Sequence, residues 1–108
     1  MNYKVFITDN FKKEAKRLSK KYPSLKSELA ALGNELSKKP DQGTSLGNNV
    51  YKIRLSIASK GKGKSGGARI ITFVKITQAT VYLLSIYNKG EKDDISYHEI
   101  KQILKEFL

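Results

Sequence analysis

Two hydrophobic periods divide the chain. Near its start Tyr3, Val5 and Ile7 alternate with Lys4, Phe6 and Thr8, the period of two expected of a strand over residues 2–8. After Asp9 or Asn10, either of which suits a helix N-cap, Phe11, Ala15, Leu18 and Tyr22 recur at helical spacing. The opposite face of that helix is Lys12, Lys13, Lys16, Arg17, Lys20 and Lys21. Pro23 stops the helix and can occupy the first turn of the next, along which Leu25, Leu29, Leu32 and Leu36 repeat. The pair predicts a helical hairpin that ends in the turn-rich segment 39–43. From residue 50 the period returns to two. Strands are predicted over 50–57, 68–76 and 80–87, with a Lys/Gly-rich stretch over 58–67 and a turn around Gln78-Ala79. Three successive strands with short connections imply an antiparallel meander. Ser96 and Glu99 then form a capping box, and Ile100, Ile103, Leu104 and Phe107 line one face of a last helix.

The order β-α-α-β-β-β-α predicts an α+β fold, a small antiparallel sheet packed against the N-terminal helical hairpin. No repeat or boundary interrupts residues 1–108, which read as a single domain.

Strand alternation sorts the faces. With Tyr51, Ile53, Leu55 and Ile57 toward the core, Lys52 and Arg54 point the other way. With Ile70, Thr72, Val74 and Ile76 toward the core, Arg69 joins them. With Tyr82, Leu84 and Ile86 toward the core, Tyr87 does too, and Lys89 follows two residues on. That second face also carries Ile71, Phe73, Val81 and Leu83, an apolar patch that the last helix or a partner should cover.

Charge changes the picture most. The chain carries +11, and its distribution is uneven: between Asp41 and Glu91 there is no acid. The same interval holds Lys52, Arg54, Lys60, Lys62, Lys64, Arg69, Lys75 and Lys89. A surface built for solubility alone intersperses both signs. An acid-free basic block suits a polyanion. Absence of cysteine removes disulfides, thiolate nucleophiles and thiolate metal sites, and one histidine leaves no His-based metal cluster and no Ser-His-Asp triad. No metal or cofactor is expected. The start lacks the apolar core of a signal peptide and no stretch is long enough to span a bilayer, so no membrane partner and a cytoplasmic location are the default expectation.

Gly61-Lys62-Gly63-Lys64-Ser65-Gly66 fits G-x-G-x-x-G, but a strand follows it where a dinucleotide site needs a helix. The P-loop reading fails at Ala58, where a glycine is required, and the chain is too short for a kinase. What the loop offers is Lys60, Lys62 and Lys64 on a flexible backbone able to follow a phosphate chain. His98, in the first turn of the last helix, reads as solvated surface. Asp93 and Asp94 favour the start of that helix through its dipole.

Residues 51–54, 60–71 and 82–89 (Tyr-Lys-Ile-Arg, Lys-Gly-Lys-Gly-Lys-Ser-Gly-Gly-Ala-Arg-Ile-Ile and Tyr-Leu-Leu-Ser-Ile-Tyr-Asn-Lys) resemble the RelE/ParE superfamily, and within it the HigB-like branch of type II toxin–antitoxin toxins. The resemblance extends to element order along the whole chain and is specific over residues 51–92. It implies a RelE-like fold and a ribosome-associated mRNA endoribonuclease, whose partners are mRNA, the ribosome and a cognate antitoxin. It further implies that the toxin–antitoxin complex binds operator DNA. By the same resemblance the arginine opening the middle meander strand is Arg69, the tyrosine closing the last is Tyr87, and the lysine after it is Lys89, these three being the catalytic candidates. Lys52 and Arg54 correspond to the basic pair of RelE proteins, and with Lys60, Lys62 and Lys64 they are the RNA-binding candidates. The Lys/Gly loop is longer than in compact RelE members. ParE proteins share the fold but act on gyrase, so fold alone does not give the target.

RNA is cut without metal when its 2′-hydroxyl attacks the adjacent phosphorus, which requires a base, an acid and positive charge for the phosphorane. Arg69 suits the last task, its planar fork pairing with two phosphate oxygens. Tyr and Lys titrate near 10 when unperturbed, and clustered positive charge is expected to lower both. Either Tyr87 or Lys89 can then be the base, with the other or a loop lysine as acid. A non-catalytic module for structured RNA and a gyrase poison are the competing readings.

Overall fold

The structure, a computed structural model, describes residues 2–60, 66–92 and 94–107. Thr8, rather than Asp9 or Asn10, caps the first helix, α1 (Asp9–Lys21): its backbone is extended and its hydroxyl accepts the Phe11 amide at 3.2 Å. Phe11 and Leu18 are the buried face of α1, and Leu25, Leu32 and Leu36 that of α2 (Leu25–Lys38), while Leu29 is only partly covered. These are the two arms of the expected hairpin, turned at Pro23-Ser24.

Five strands form one sheet: β1 (Lys4–Ile7), β2 (Thr44–Gly47), β3 (Val50–Leu55), β4 (Ala68–Lys75) and β5 (Thr80–Asn88). Their order is β1-β5-β4-β3-β2, and β3, β4 and β5 are the expected antiparallel meander. Two features modify the expectation. The pairing of β1 with β5 is parallel, so the sheet is mixed. An additional strand, β2, returns on β3 through Asn48-Asn49, both at positive φ (52° and 64°). Two such residues make the mirror-image turn that suits hairpin twist, and asparagine tolerates it. The last helix, α3 (Tyr97–Phe107), has the capping box foreseen: Ser96 Oγ accepts the Glu99 amide at 3.1 Å and Glu99 Oε1 accepts the Ser96 amide at 3.2 Å. No helix among the described residues is long and apolar enough to cross a membrane.

The sheet is covered on both faces. One apolar cluster joins Ile53, Ile57, Ala68, Ile70, Val74, Val81, Leu83 and Ile86 to the hairpin. A second joins Val50, Ile71, Leu84 and Tyr87 to Ile95 and Ile100, with Phe73, Tyr82, Ile103 and Leu104 packed against it. The face assignment along β5 therefore needs correcting. Ile71 pairs with Ser85 and Thr72 with Leu83, which leaves Leu84 in excess as a β-bulge. Ahead of the bulge Val81 and Leu83 face the hairpin and Tyr82 and Leu84 face α3; beyond it Ile86 faces the hairpin and Tyr87 faces α3. The expected common patch of Ile71, Phe73, Val81 and Leu83 is thus split between two cores. Ile76, expected inside, is 63% exposed, because the chain leaves β4 in a 3-10 turn at Ile76–Gln78.

The bulge is held by the start of α1. Leu83 O accepts the Thr8 hydroxyl at 2.8 Å, and Leu84 O accepts Asn10 Nδ2 at 2.9 Å. Glu14 Oε1 takes the Asn10 Nδ2 at 2.9 Å, the Ser85 hydroxyl at 2.8 Å and the Ile86 amide at 3.2 Å. Strand groups that the bulge removes from the ladder thereby find partners on a helix. Hydrogen bonds to a charged group contribute about 1.5–3 kcal/mol each, and stranded buried donors add to the loss. Glu14→Ala is expected to lower stability by about 2–3 kcal/mol, read as a fall in the urea midpoint, with Glu14→Gln losing less. An unchanged midpoint in Glu14→Ala would show that the bulge stands without this carboxylate.

Candidate active site

Cross-strand register assembles the site. Arg54 pairs with Arg69, and Arg69 with Tyr87, so the three form one rank across β3, β4 and β5. Neighbours in such a rank have Cα atoms roughly 5 Å apart. Lys52 lies two residues from Arg54 on the same strand and therefore shares its face. The strand argument that grouped Lys52, Arg54, Arg69 and Tyr87 thus reaches the observed grouping, although the phase of β5 is set by the bulge. Exposure within the group is uneven. Arg54 is open to solvent and Lys52 half-buried, whereas Arg69 and Tyr87 are only 6% and 4% exposed. Arg69 Nη1 donates to the Ala68 carbonyl at 3.2 Å.

Asp94 completes the cluster. Its Oδ1 accepts from three donors: the Tyr87 hydroxyl at 3.2 Å, Lys52 Nζ at 3.3 Å and the Ile95 amide at 2.9 Å. Lys92, tied to Glu99 by an ion pair, places its Nζ 5.9 Å from the Tyr87 ring centroid. Sequence reasoning assigned Asp94 to the start of the last helix, but it lies two residues before the Ser96 cap and reaches back to Tyr87. No spacing rule signals that contact, because it depends on the path of the chain between β5 and α3.

This environment reverses the expected direction of one pKa. Burial, then the Asp94 charge and its hydrogen bond, push the Tyr87 hydroxyl up to about 12, and the Arg69 charge only partly opposes them. Tyr87 is therefore a held proton donor in this arrangement, not the ionised group that a purely cationic surrounding would produce. Asp94 is held below the usual carboxylate range, first by the Ile95 amide and also by Lys52 and Tyr87.

Lys60 and Lys89 belong to a neighbouring recess of about 330 Å³, lined also by Lys21, Tyr22, Asn88 and Glu91. Lys60 Nζ donates to Asn88 Oδ1 and sits 5.8 Å from the Tyr22 ring centroid, while Asn88 Nδ2 donates to the Tyr22 hydroxyl at 3.0 Å. The Lys89 amide donates to the Gly67 carbonyl at 3.1 Å. Glu91 pairs with Arg17 at 3.2 Å and Lys21 at 3.4 Å, partly neutralising one end of the basic helix. Lys62 and Lys64 lie outside the described residues. His98 is exposed on α3, and its Nε2 lies 3.5 Å from Gln102 Nε2. Among the described residues no group of three or more His, Cys, Asp or Glu is placed to hold a metal ion.

Solved structures of E. coli RelE have this fold. A double Arg-to-Ala variant of that toxin in the free state matches at 18% identity and a TM-score of 0.66, with 100% of both chains covered. The isolated E. coli RelE toxin matches at 21% identity and 0.56, over 98% of this chain and 99% of that one. A chain of the intact E. coli RelBE toxin–antitoxin complex matches at 20% identity and 0.50, over 80% of this chain and 95% of that one. At such identities the likeness is one of fold. The sequence itself carries the assignment: the family described as the RelE toxin of the RelE/RelB toxin–antitoxin system matches residues 3–106, and the chain belongs to that family.

Proposed function

We propose that this RelE-family toxin is a cytoplasmic, ribosome-dependent mRNA endoribonuclease, of the HigB-like branch that residues 51–54, 60–71 and 82–89 resemble. The observation that carries the reading is the single rank of Arg54, Arg69 and Tyr87, with Lys52 beside it. In the reaction the RNA 2′-oxygen bonds to the adjacent phosphorus and the bond to the 5′-oxygen breaks, leaving a 2′,3′-cyclic phosphate and a 5′-hydroxyl. The proton of the 2′-hydroxyl goes to a base, and the leaving oxygen takes one from an acid. Arg69 stabilises the phosphorane with its fixed fork. Tyr87, with its hydroxyl protonated, supplies a hydrogen bond or the proton to the leaving oxygen. Lys89, two residues along, is left for the base. The step uses no metal and no cofactor. Lys52, Arg54, Lys60, Lys62 and Lys64 bind the RNA backbone.

The partner that restrains this activity is a cognate antitoxin, and with it the toxin binds operator DNA. Since the expected patch is buried, another surface must receive the antitoxin. An open groove of about 900 Å³ between α1 and α2 has Val5, Ile7, Ala15 and Leu29 in its walls and Lys12, Lys16, Lys20 and Lys26 among its lining. An apolar floor with a lysine rim fits an acidic amphipathic helix.

Induced expression tests the reading. Growth should stop, translated mRNAs should show new ends inside coding regions, and co-expression of the adjacent small reading frame should restore growth. Intact mRNA with altered plasmid supercoiling would instead identify a gyrase poison. Intact mRNA and normal supercoiling would leave only an RNA-binding module.

A further inference from the structure

Arg69 and Tyr87 are almost fully covered in this state, and the hydroxyl of Tyr87 is already engaged by Asp94. One oxygen of that carboxylate collects a phenol, an ammonium and a backbone amide. This donor set is what a phosphate oxygen of RNA would seek in the same place. Asp94 lies outside the acid-free stretch between Asp41 and Glu91, yet the fold brings it onto one of that stretch's own cations, Lys52. Resting on the nuclease reading above, we propose that Asp94 is an internal stand-in for an RNA phosphate, which closes the site in the free protein and must be displaced when RNA enters.

Displacement is within reach of a polyanion. The Asp94 side chain is 66% exposed, so its pairing with Lys52 is screened by solvent and weak. A phosphodiester brings oxygens to the same donors and also engages Arg54 outside them. A rival role for Asp94, as the base that takes the 2′-hydroxyl proton, conflicts with its surroundings. A carboxylate stabilised by three donors in its charged form has little tendency to accept a proton.

The test compares the wild type, Asp94→Asn, Asp94→Ser and a charge-matched control, Glu106→Gln, which alters an exposed carboxylate at the far end of α3. The probe is a fully 2′-O-methylated single-stranded RNA, which binds but cannot be cut, followed by fluorescence anisotropy at several salt concentrations. Both Asp94 variants should bind about three- to tenfold more tightly than Glu106→Gln, which absorbs the effect of net charge on a phosphate-dominated interaction. Ultraviolet titration, with Tyr87→Phe as the blank, should show Tyr87 ionising near 12 in the wild type and lower in Asp94→Asn, since a negative neighbour is gone. Equal affinity in the Asp94 variants and Glu106→Gln would overturn the proposal, and so would weaker RNA binding. Loss of mRNA cleavage in Asp94→Asn with binding retained would make Asp94 the base and overturn it too. Tighter binding by both variants, with no cleavage by any protein including the wild type, would leave Asp94 as the stand-in and remove the nuclease reading instead.

Discussion

Arg69→Ala is expected to lower mRNA cleavage by at least about a hundredfold while the protein remains folded. Arg69 stands in the middle of the Arg54–Arg69–Tyr87 rank and is the permanently charged fork buried at its centre. Charge on the phosphorane develops in the transition state, so the loss should fall on kcat more than on RNA affinity. Removing one preorganised donor of this kind typically costs about 3–4 kcal/mol. Arg69→Lys keeps the charge but loses the planar pairing and should recover only part of the rate. A folding control comes from the same residue. Because the Arg69 charge opposes the rise in the Tyr87 pKa, Arg69→Ala should send the Tyr87 ionisation further up from about 12. Parental cleavage by a folded Arg69→Ala protein would show that the reaction occurs elsewhere.

Naked mRNA should be cut at least a hundredfold more slowly than the same transcript under translation. In the free protein Tyr87 holds its proton with a pKa of about 12, well away from the operating pH at which a general acid works best. Arg69 and Tyr87 are also covered, so an unrestrained RNA must both open the site and adopt the geometry for in-line attack. Holding the RNA in an attacking geometry is worth several kcal/mol of barrier, about 1.4 kcal/mol for each tenfold. On the proposed reading the ribosome would provide it, by gripping the basic face of α1 while holding mRNA across β3, β4 and β5. Purified toxin on one transcript, alone and in a reconstituted translation system, gives the comparison. Ribosome association should weaken steeply with salt. Equal rates in both reactions would mean that the protein's own groups suffice.

Much of this arrangement is written in local patterns. The hairpin, the meander and the α3 capping box each follow from a period or a cap, because these depend on neighbours within a turn or a strand. The Asn48-Asn49 pair would have revealed β2 had it been read as a mirror-image turn. The acid-free interval and the side shared by Lys52, Arg54 and Arg69 were equally legible. What the sequence left open are properties of non-local pairing. The parallel placement of β1 on β5 depends on where the hairpin docks, which periodicity does not encode. The bulge at Leu84 exists because Thr8, Asn10 and Glu14 offer partners about 70 residues away for the groups it frees, and it divides the presumed surface patch between two cores. Tyr87 was singled out by the family resemblance, but its protonation was not legible in the sequence. A pKa reports burial and nearby charge, and only the packed chain brings Asp94 onto a hydroxyl that cationic composition alone would have ionised.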